Sequence, residues 1–265
     1  MKHLIQDRPR VSAVLALAVL LAATMTTSAS ARLEGRSADQ LSVFAAASLT
    51  EAFPLFDGGQ RYTFAGSDAL AAQIKLGAPA DLFAAASPAA PQALFAQGAV
   101  EQPVTFATNR LVLAVPKANP AGITSVYDLR RTGIKLVIGT PTVPIGAYTR
   151  AVLDNLGLTD PALANVVSQE KDVRSIAAKV ALGTADAGFM YATDARPVAD
   201  QVTLIKIPAW AQPPVRYQIA IVKNTRLHDA AAAFIKRLTS TKGRKLLVRN
   251  GFGVPKLPVV KKTKK

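Results

Sequence analysis

Short apolar runs with the composition of β-strands alternate with helical segments along nearly the whole chain. Leu41–Ala46, Leu111–Val115 and Leu136–Gly139 have the composition of buried strands. Helical segments lie between such runs and end at glycines, as Ser67–Leu76 ends at Gly77. This alternation predicts an α/β fold with largely parallel sheets, because parallel strands need helical connections. The other predicted strands are Tyr62–Ala65, Leu82–Ala85, Ala187–Tyr191, Leu204–Ile207 and Ile219–Val222, and the other predicted helices are Leu49–Phe56, Pro88–Gln97, Tyr148–Leu156, Val173–Leu182, His228–Leu238 and Thr241–Arg249.

Two segments, Phe106–Leu113 and Tyr217–Val222, have the character of extended strands shared between two lobes. Neither is rich in glycine or serine, so they are not flexible linkers. We predict a first lobe formed by residues 38–107 plus 222–256 and a second lobe formed by residues 108–221. A cleft between two such lobes is a usual place for a small ligand.

The first residues have the pattern of a signal peptide. Basic residues precede the apolar run Val11–Ala23, and the small residues Ala29-Ser30-Ala31 follow it. The run is short for a permanent membrane span. We predict that residues 1–31 are a signal peptide and that the protein is secreted to the periplasm or the extracytoplasmic envelope space. An uncleaved N-terminal anchor is the alternative.

The chain is strongly basic, with a formal net charge of +15, and it has no cysteine. Eleven Lys or Arg residues and no acid lie between Ala230 and Lys265. We predict that residues 257–265 form a basic disordered tail, with contact to an anionic envelope surface as the alternative. The tail lacks interleaved aromatic residues, and the signal peptide points away from the genome, so we expect no nucleic-acid partner. The absence of cysteine excludes disulfides and an N-terminal lipid anchor on cysteine.

The signatures of an enzyme are mostly missing from the sequence. His3 lies in the signal peptide and His228 stands alone at a predicted helix start. There is no nucleophile elbow, no phosphate-binding P-loop and no cluster of His, Cys and carboxylates with metal-ligand spacing. We therefore predict a protein that is not an enzyme, with no catalytic residue, no cofactor and no resident metal.

Two junctions from strand to helix each carry a serine. Ser48 follows Leu41–Ala46 and is predicted to cap the helix that begins at Leu49, and Ser67 follows Tyr62–Ala65 and opens a helix. A serine at such a junction presents its hydroxyl together with free backbone N–H groups and the positive end of the helix dipole, which suits an anion. The alternative is that both serines are ordinary N-caps.

Three further positions offer hydrogen-bond donors. The prolines of PTVPIGAY (141–148) precede a helix and leave the N–H of Ile145 free, while KDVR (171–174) offers the N–H of Val173 in the same way. Tyr191 ends a strand, and its phenol can donate one hydrogen bond. The alternatives are a plain loop at Ile145, a core position at Val173 and a half-buried strand tyrosine at Tyr191.

The order of these motifs carries a resemblance to a known family. From Leu41 to Gly253 the motifs follow one another in the order AAASLT, FAGSDALAAQIKLGAPADLFAAAS, NRLVLAVP, GTPTVPIGAY, DVR with GTADAGFMYATDA, and a closing AAAFIKRL before GF. In this order the chain resembles the molybdate-binding proteins of ABC importers. The resemblance implies a class II periplasmic-binding-protein fold, in which two α/β lobes are joined by two crossing strands and the ligand lies in the cleft.

The resemblance also implies a site and a function. It places a tetrahedral oxyanion on the hydroxyls of Ser48, Ser67 and Tyr191 and on the backbone N–H groups of Ile145 and Val173. It implies a monomeric binding protein that captures molybdate, and also tungstate, for an ABC permease, so molybdenum is present only as bound molybdate. The alternatives are a binding protein for sulfate, thiosulfate or phosphate, or an enzyme on the same two-lobed scaffold.

The chemistry of the ligand agrees with these donors, because every oxygen of a deprotonated dianion accepts hydrogen bonds. The chain departs from the family pattern at Asp68, where a small neutral residue is common, at the short stretch between Ser48 and Phe64, and at Ile145, which replaces a smaller residue. We expect Asp68 to face solvent as a first-turn acid. In the alternatives it lines the pocket, where it either repels a dianion or accepts a proton from a protonated ligand.

Overall fold

A computed structural model describes residues 40–255, so the predicted signal peptide and basic tail lie outside the described residues. The described chain forms ten strands and eight α-helices, with three short 3-10 turns. The strands are β1 (Ser42–Ala46), β2 (Arg61–Ala65), β3 (Leu82–Ala85), β4 (Val104–Asn109), β5 (Leu111–Pro116), β6 (Leu136–Gly139), β7 (Val166–Glu170), β8 (Ala187–Tyr191), β9 (Val202–Ile205) and β10 (Val215–Ile221).

The helices surround these strands. They are α1 (Ala52–Phe56), α2 (Ser67–Lys75), α3 (Ala89–Ala96), α4 (Pro144–Asn155), α5 (Thr159–Ala164), α6 (Val173–Ala181), α7 (His228–Thr239) and α8 (Thr241–Arg249), and the 3-10 turns are Ala47–Leu49, Val126–Arg130 and Ala209–Ala211. Among the described residues no helix combines the length and the apolar character that a membrane crossing requires.

The strands form two mixed sheets of five strands each. The first sheet has the order β2-β1-β3-β10-β4, and the second has the order β7-β6-β8-β5-β9. In the first, β1 is parallel to β2 and β3, while β10 runs antiparallel to its neighbours. In the second, β6 is parallel to β7 and β8, while β5 runs antiparallel to its neighbours. The α/β fold class is confirmed, but the expectation of largely parallel sheets was wrong, because the pairings of β5 and β10 with their neighbours are all antiparallel.

The chain passes from one sheet to the other twice. The first crossing joins β4 to β5 at Arg110, inside the predicted segment Phe106–Leu113. The second lies in residues 206–214, between β9 and β10, which is earlier than the predicted segment Tyr217–Val222. That segment pairs with β3 and β4 instead, because its residues complete the core of the first sheet. The exact limits of the two lobes stay a prediction.

Most elements agree with the apolar patterns, and the exceptions are short or at an edge. β7 was not predicted: it is an edge strand of the second sheet, and its residues alternate between half-buried and exposed. One continuous helix was predicted from Leu49 to Phe56, but the structure has a 3-10 turn followed by the separate five-residue helix α1. Helix α4 begins at Pro144, earlier than the predicted Tyr148, because proline is well suited to the first turn.

The parallel strands bring the junctions of interest to one region. Ser48 follows β1, Ser67 follows β2, Ile145 follows β6, Val173 follows β7 and Tyr191 ends β8. In open α/β sheets ligands bind outside the carboxyl ends of the strands. The fold therefore places all five predicted residues where a ligand site is expected.

Candidate functional site

One small cavity has all five predicted residues in its wall. Ser48 and Ser67 come from the first sheet, and Ile145, Val173 and Tyr191 from the second. The space open to the centre of a water molecule is about 20 Å³. A single water needs roughly 10–15 Å³ by that measure, so the cavity suits a ligand of few atoms. The remaining wall is formed by Ala46, Ala47, Ala65, Gly66, Ala86, Val143, Pro144 and Asp172.

Neither serine caps a helix. Ser48 lies inside the 3-10 turn Ala47–Leu49, whose N-cap is Ala46, and Ser67 is the first residue of α2, whose N-cap is Gly66. No side-chain capping bond forms at either turn. The prediction that Ser48 caps a helix at Leu49 was wrong, and so was the alternative that both serines are ordinary N-caps. Their hydroxyls are left for other partners.

Each serine oxygen is held by a group of the first sheet. The backbone N–H of Ala86 donates to Ser67 Oγ at 3.1 Å. Ser48 Oγ lies 2.8 Å from the hydroxyl of Tyr217 on β10. Because Ser67 already accepts a bond within the protein, its own proton stays available to an acceptor in the cavity.

Tyr191 brings to the cavity a donor that has no partner among the described residues. It is 1% exposed, and its hydroxyl has no hydrogen-bond partner among the described residues. Burial raises the pKa of Tyr191 well above its usual value, and the neighbouring Tyr217, Tyr148 and Asp194 raise it further. The phenol therefore keeps its proton. A buried and unsatisfied hydroxyl costs free energy, so an acceptor placed in the cavity would satisfy it.

The second sheet adds two helix starts. Ile145 is the second residue of α4, and Val173 is the first residue of α6. The first N–H groups of a helix have no acceptor within the helix, and they carry the positive end of its dipole. Both side chains are apolar and buried, and the polar groups of these residues are those of the backbone.

Two carboxylates lie near the cavity, and each accepts hydrogen bonds within the protein. Asp172 is in the cavity wall, but Ser175 donates to both of its oxygens, from the backbone N–H at 3.0 Å and from Oγ at 3.1 Å. Asp68 is not in the wall, and its Oδ2 accepts from Thr142 Oγ1 of the second sheet at 2.8 Å. The expectation that Asp68 faces solvent was wrong, because this contact draws its side chain towards the opposite lobe. Its Oδ1 is buried without a partner among the described residues.

A larger cleft of about 460 Å³ adjoins the cavity and shares Ser48 and Asp172 with it. Its wall includes Arg174, whose Nη1 pairs with Glu51 Oε1 at 3.0 Å. The wall also includes Asp194, whose pKa burial raises to about 7. Three acids against one paired arginine make this cleft a poor anion site, and the small cavity with its donors is the better candidate.

The described part of the chain places no histidine or cysteine in the wall of the cavity. His228 lies on the surface, where its Nε2 is 2.9 Å from Glu101 Oε1. Within residues 40–255 no group of three or more His, Cys, Asp and Glu side chains could hold a metal ion.

The comparison with known proteins agrees with this geometry. Residues 60–253 match the family described as bacterial extracellular solute-binding protein. The chain belongs to the bacterial extracellular solute-binding proteins. A relative in this class is the molybdate-binding protein ModA of Mycobacterium tuberculosis. It is 36% identical over 255 residues, which are 92% of this chain and 96% of the relative.

Solved structures of solute-binding proteins share the fold. The periplasmic molybdate-binding protein of Azotobacter vinelandii superimposes with a TM-score of 0.72 at 25% identity, covering 82% of this chain and all of that protein. The sulfate-binding protein SubI of Mycobacterium tuberculosis superimposes with a TM-score of 0.68 at 19% identity, covering 80% of this chain and 86% of that protein. The second likeness concerns the fold alone. The same architecture thus occurs in proteins named for two tetrahedral oxyanions.

Proposed function

We propose that the protein captures molybdate in the small cavity and delivers it to an ABC importer. The observation that carries the proposal is the wall of that cavity, where two serine hydroxyls and two helix starts meet the phenol of Tyr191, which has no partner within residues 40–255. The 36% identity to a molybdate-binding protein over most of both chains supports the same ligand.

The proposed binding uses donors alone. The hydroxyls of Ser48, Ser67 and Tyr191 and the N–H groups of Ile145 and Val173 would bond the oxygens of the anion, and the two helix dipoles would offset its charge. Molybdate is fully deprotonated near neutral pH, so it has acceptors on every side. A protonated phosphate would need an acceptor, and each oxygen of Asp172, the carboxylate in the wall, already accepts one bond from Ser175.

Transport would follow from binding without any chemical step. In this proposal the protein is a monomer in the extracytoplasmic space, and a membrane permease recognises the form in which the two lobes enclose the anion. Tungstate has the same shape and charge as molybdate and would bind in the same way. Sulfate is the second candidate, because it also accepts on all four oxygens and the fold is shared with a sulfate-binding protein.

Thermal unfolding with added anions tests the proposal. A ligand that binds only the folded state adds about 4 kcal/mol to the free energy of unfolding at a thousandfold excess over Kd. We expect molybdate and tungstate to raise Tm strongly, and sulfate and phosphate to raise it much less at equal concentration. A shift with sulfate or phosphate as large as that with molybdate would contradict the assignment.

A further inference from the structure

Tyr217 is a buried polar residue beside the cavity that the sequence prediction did not include. It lies on β10, it is fully buried, and its hydroxyl is 2.8 Å from Ser48 Oγ. The pairing of β10 with β4 shifts its register between Tyr217 and Gln218. Two hydroxyls at this distance share one hydrogen, and the direction of that hydrogen decides what Ser48 can offer a ligand.

The orientation of the Asn109 amide favours one direction, in which Tyr217 donates to Ser48. Asn109 Oδ1 accepts from the backbone N–H of Arg110 at 2.9 Å, so the amide nitrogen faces the other way. This nitrogen donates to Thr193 Oγ1 at 2.9 Å and to Tyr217 Oη at 3.4 Å. An amide nitrogen carries two hydrogens, so both bonds can form together.

The neighbouring groups are consistent with the same direction. Thr193 accepts from Asn109 and donates its own hydrogen to Asp194 Oδ2 at 3.2 Å. Burial raises the pKa of Tyr217 well above its usual value, and Asp194 raises it further, so the phenol keeps its proton. A Tyr217 oxygen that accepts from Asn109 has its hydrogen free to point at Ser48.

We propose that Tyr217 is a positioning residue, which donates to Ser48 Oγ and thereby leaves the proton of Ser48 to the anion in the cavity. This inference rests on the proposed function. It makes Ser48 the counterpart of Ser67, whose oxygen accepts from the N–H of Ala86. Both serines then present a hydrogen to the ligand, and one lone pair of each serine oxygen is already occupied, which disfavours a ligand with protonated oxygens.

The first test is a double-mutant cycle on molybdate affinity, measured by calorimetry. Tyr217→Phe keeps the ring and removes the donor, and we expect it to weaken binding about tenfold. In a Ser48→Ala background the same change should have almost no effect, because the hydroxyl on which Tyr217 acts is gone. A purely structural role would weaken binding equally in both backgrounds, and that result would overturn the proposal.

The matched control is Tyr62→Phe. Tyr62 lies on β2 of the same sheet, and its hydroxyl donates to the carbonyl oxygens of Phe53 at 3.1 Å and Asp57 at 2.7 Å. It is not in the cavity wall. We expect this variant to bind molybdate as the parent does, and a loss equal to that of Tyr217→Phe would overturn the assignment.

The selectivity between phosphate and molybdate is a measurement that a simple loss of packing would not change. Without Tyr217 as a donor, Ser48 can turn and accept from a protonated oxygen. We therefore expect Tyr217→Phe to raise the affinity for inorganic phosphate relative to molybdate by about tenfold. An unchanged ratio would contradict the proposal.

A second variant covers the case in which Tyr217→Phe fails to fold. Asn109→Ala keeps the phenol and removes the group that orients it, and we expect about threefold weaker molybdate binding that again disappears in the Ser48→Ala background. If the parent binds molybdate and both Tyr217→Phe and Asn109→Ala bind it with the same affinity as the parent, the role of Tyr217 is overturned while the proposed function stands. Parent protein that binds no oxyanion would overturn the proposed function with it.

Discussion

The two sheets contribute to the cavity in different ways. The first sheet supplies Ser48 and Ser67, whose oxygens are already bonded to Tyr217 and to the N–H of Ala86. The second sheet supplies the hydroxyl of Tyr191, which has no partner among the described residues, and the backbone at two helix starts. We call these the first-sheet wall (Ser48, Ser67) and the second-sheet wall (Ile145, Val173, Tyr191).

The two walls are therefore preorganised for a ligand to different extents. The first-sheet wall is fixed by bonds inside the protein, so under the proposed function its serines would serve stability and binding together. The second-sheet wall holds a buried hydroxyl with no partner among the described residues, so Tyr191 would serve binding alone. Substitutions in the two walls should therefore separate affinity from stability.

The largest effect is expected where the two walls approach each other. A Cβ atom on Gly66 would lie 2.3 Å from the carbonyl oxygen of Lys171, which belongs to the second sheet's side of the cavity. Gly66→Ala should hold the walls apart and weaken molybdate binding about a hundredfold by calorimetry. The control is Gly59→Ala, where the new Cβ would meet only Asp57 Oδ1 at 3.5 Å. Equal affinities for the two variants would show that the walls need not meet.

Tyr191→Phe should have the next largest effect on affinity. It removes a donor to a charged acceptor, and such bonds are worth roughly 1.5–3 kcal/mol, or about ten- to a hundredfold in Kd. The ligand-free protein should keep or increase its Tm, because an unsatisfied buried hydroxyl is removed. A lower ligand-free Tm together with unchanged affinity would place Tyr191 in the core and outside the site.

Ser67→Ala should weaken binding about tenfold and also destabilise the ligand-free protein. The N–H of Ala86 would lose its acceptor in a buried place, which costs about 1–3 kcal/mol of unfolding free energy. Urea unfolding of ligand-free Ser67→Ala, compared with that of ligand-free Tyr191→Phe, measures this loss of unfolding free energy. If both variants unfold like the parent, the contrast between the two walls is wrong.

The smallest effect is expected at Asp68. Asp68→Asn keeps an oxygen that can accept from Thr142 and removes one negative charge near the anion, so affinity should tighten by no more than about threefold. The change can be followed by calorimetry with molybdate at fixed salt. A tightening beyond about tenfold would mean that the carboxylate faces the ligand directly.

The strands and helix starts around the cavity could be predicted because their signals are local. Apolar runs indicate β1, β6 and β8, and the prolines of PTVPIGAY indicate a helix after β6, although its start was placed at Tyr148 and not at Pro144. The residue types of Ser48, Ser67 and Tyr191 show that they are possible donors, and the parallel strands bring them to one cavity.

The hydrogen-bond partners could not be predicted because they are distant in sequence. Ser67 bonds to Ala86, 19 positions away, and Ser48 bonds to Tyr217, 169 positions away. Asp68 meets Thr142, 74 positions away, so the local rule for a first-turn acid gave the wrong environment. A sequence pattern indicates which groups can donate, while tertiary packing decides which of them remain free.

A crystal structure of the molybdate complex, with the metal located by its anomalous scattering, tests the central claim most directly. The account predicts one molybdenum peak in the small cavity, with oxygens within about 3 Å of Ser48 Oγ, Ser67 Oγ and Tyr191 Oη. A peak beside Arg174 in the larger cleft, or oxygens bonded to neither serine, would contradict it.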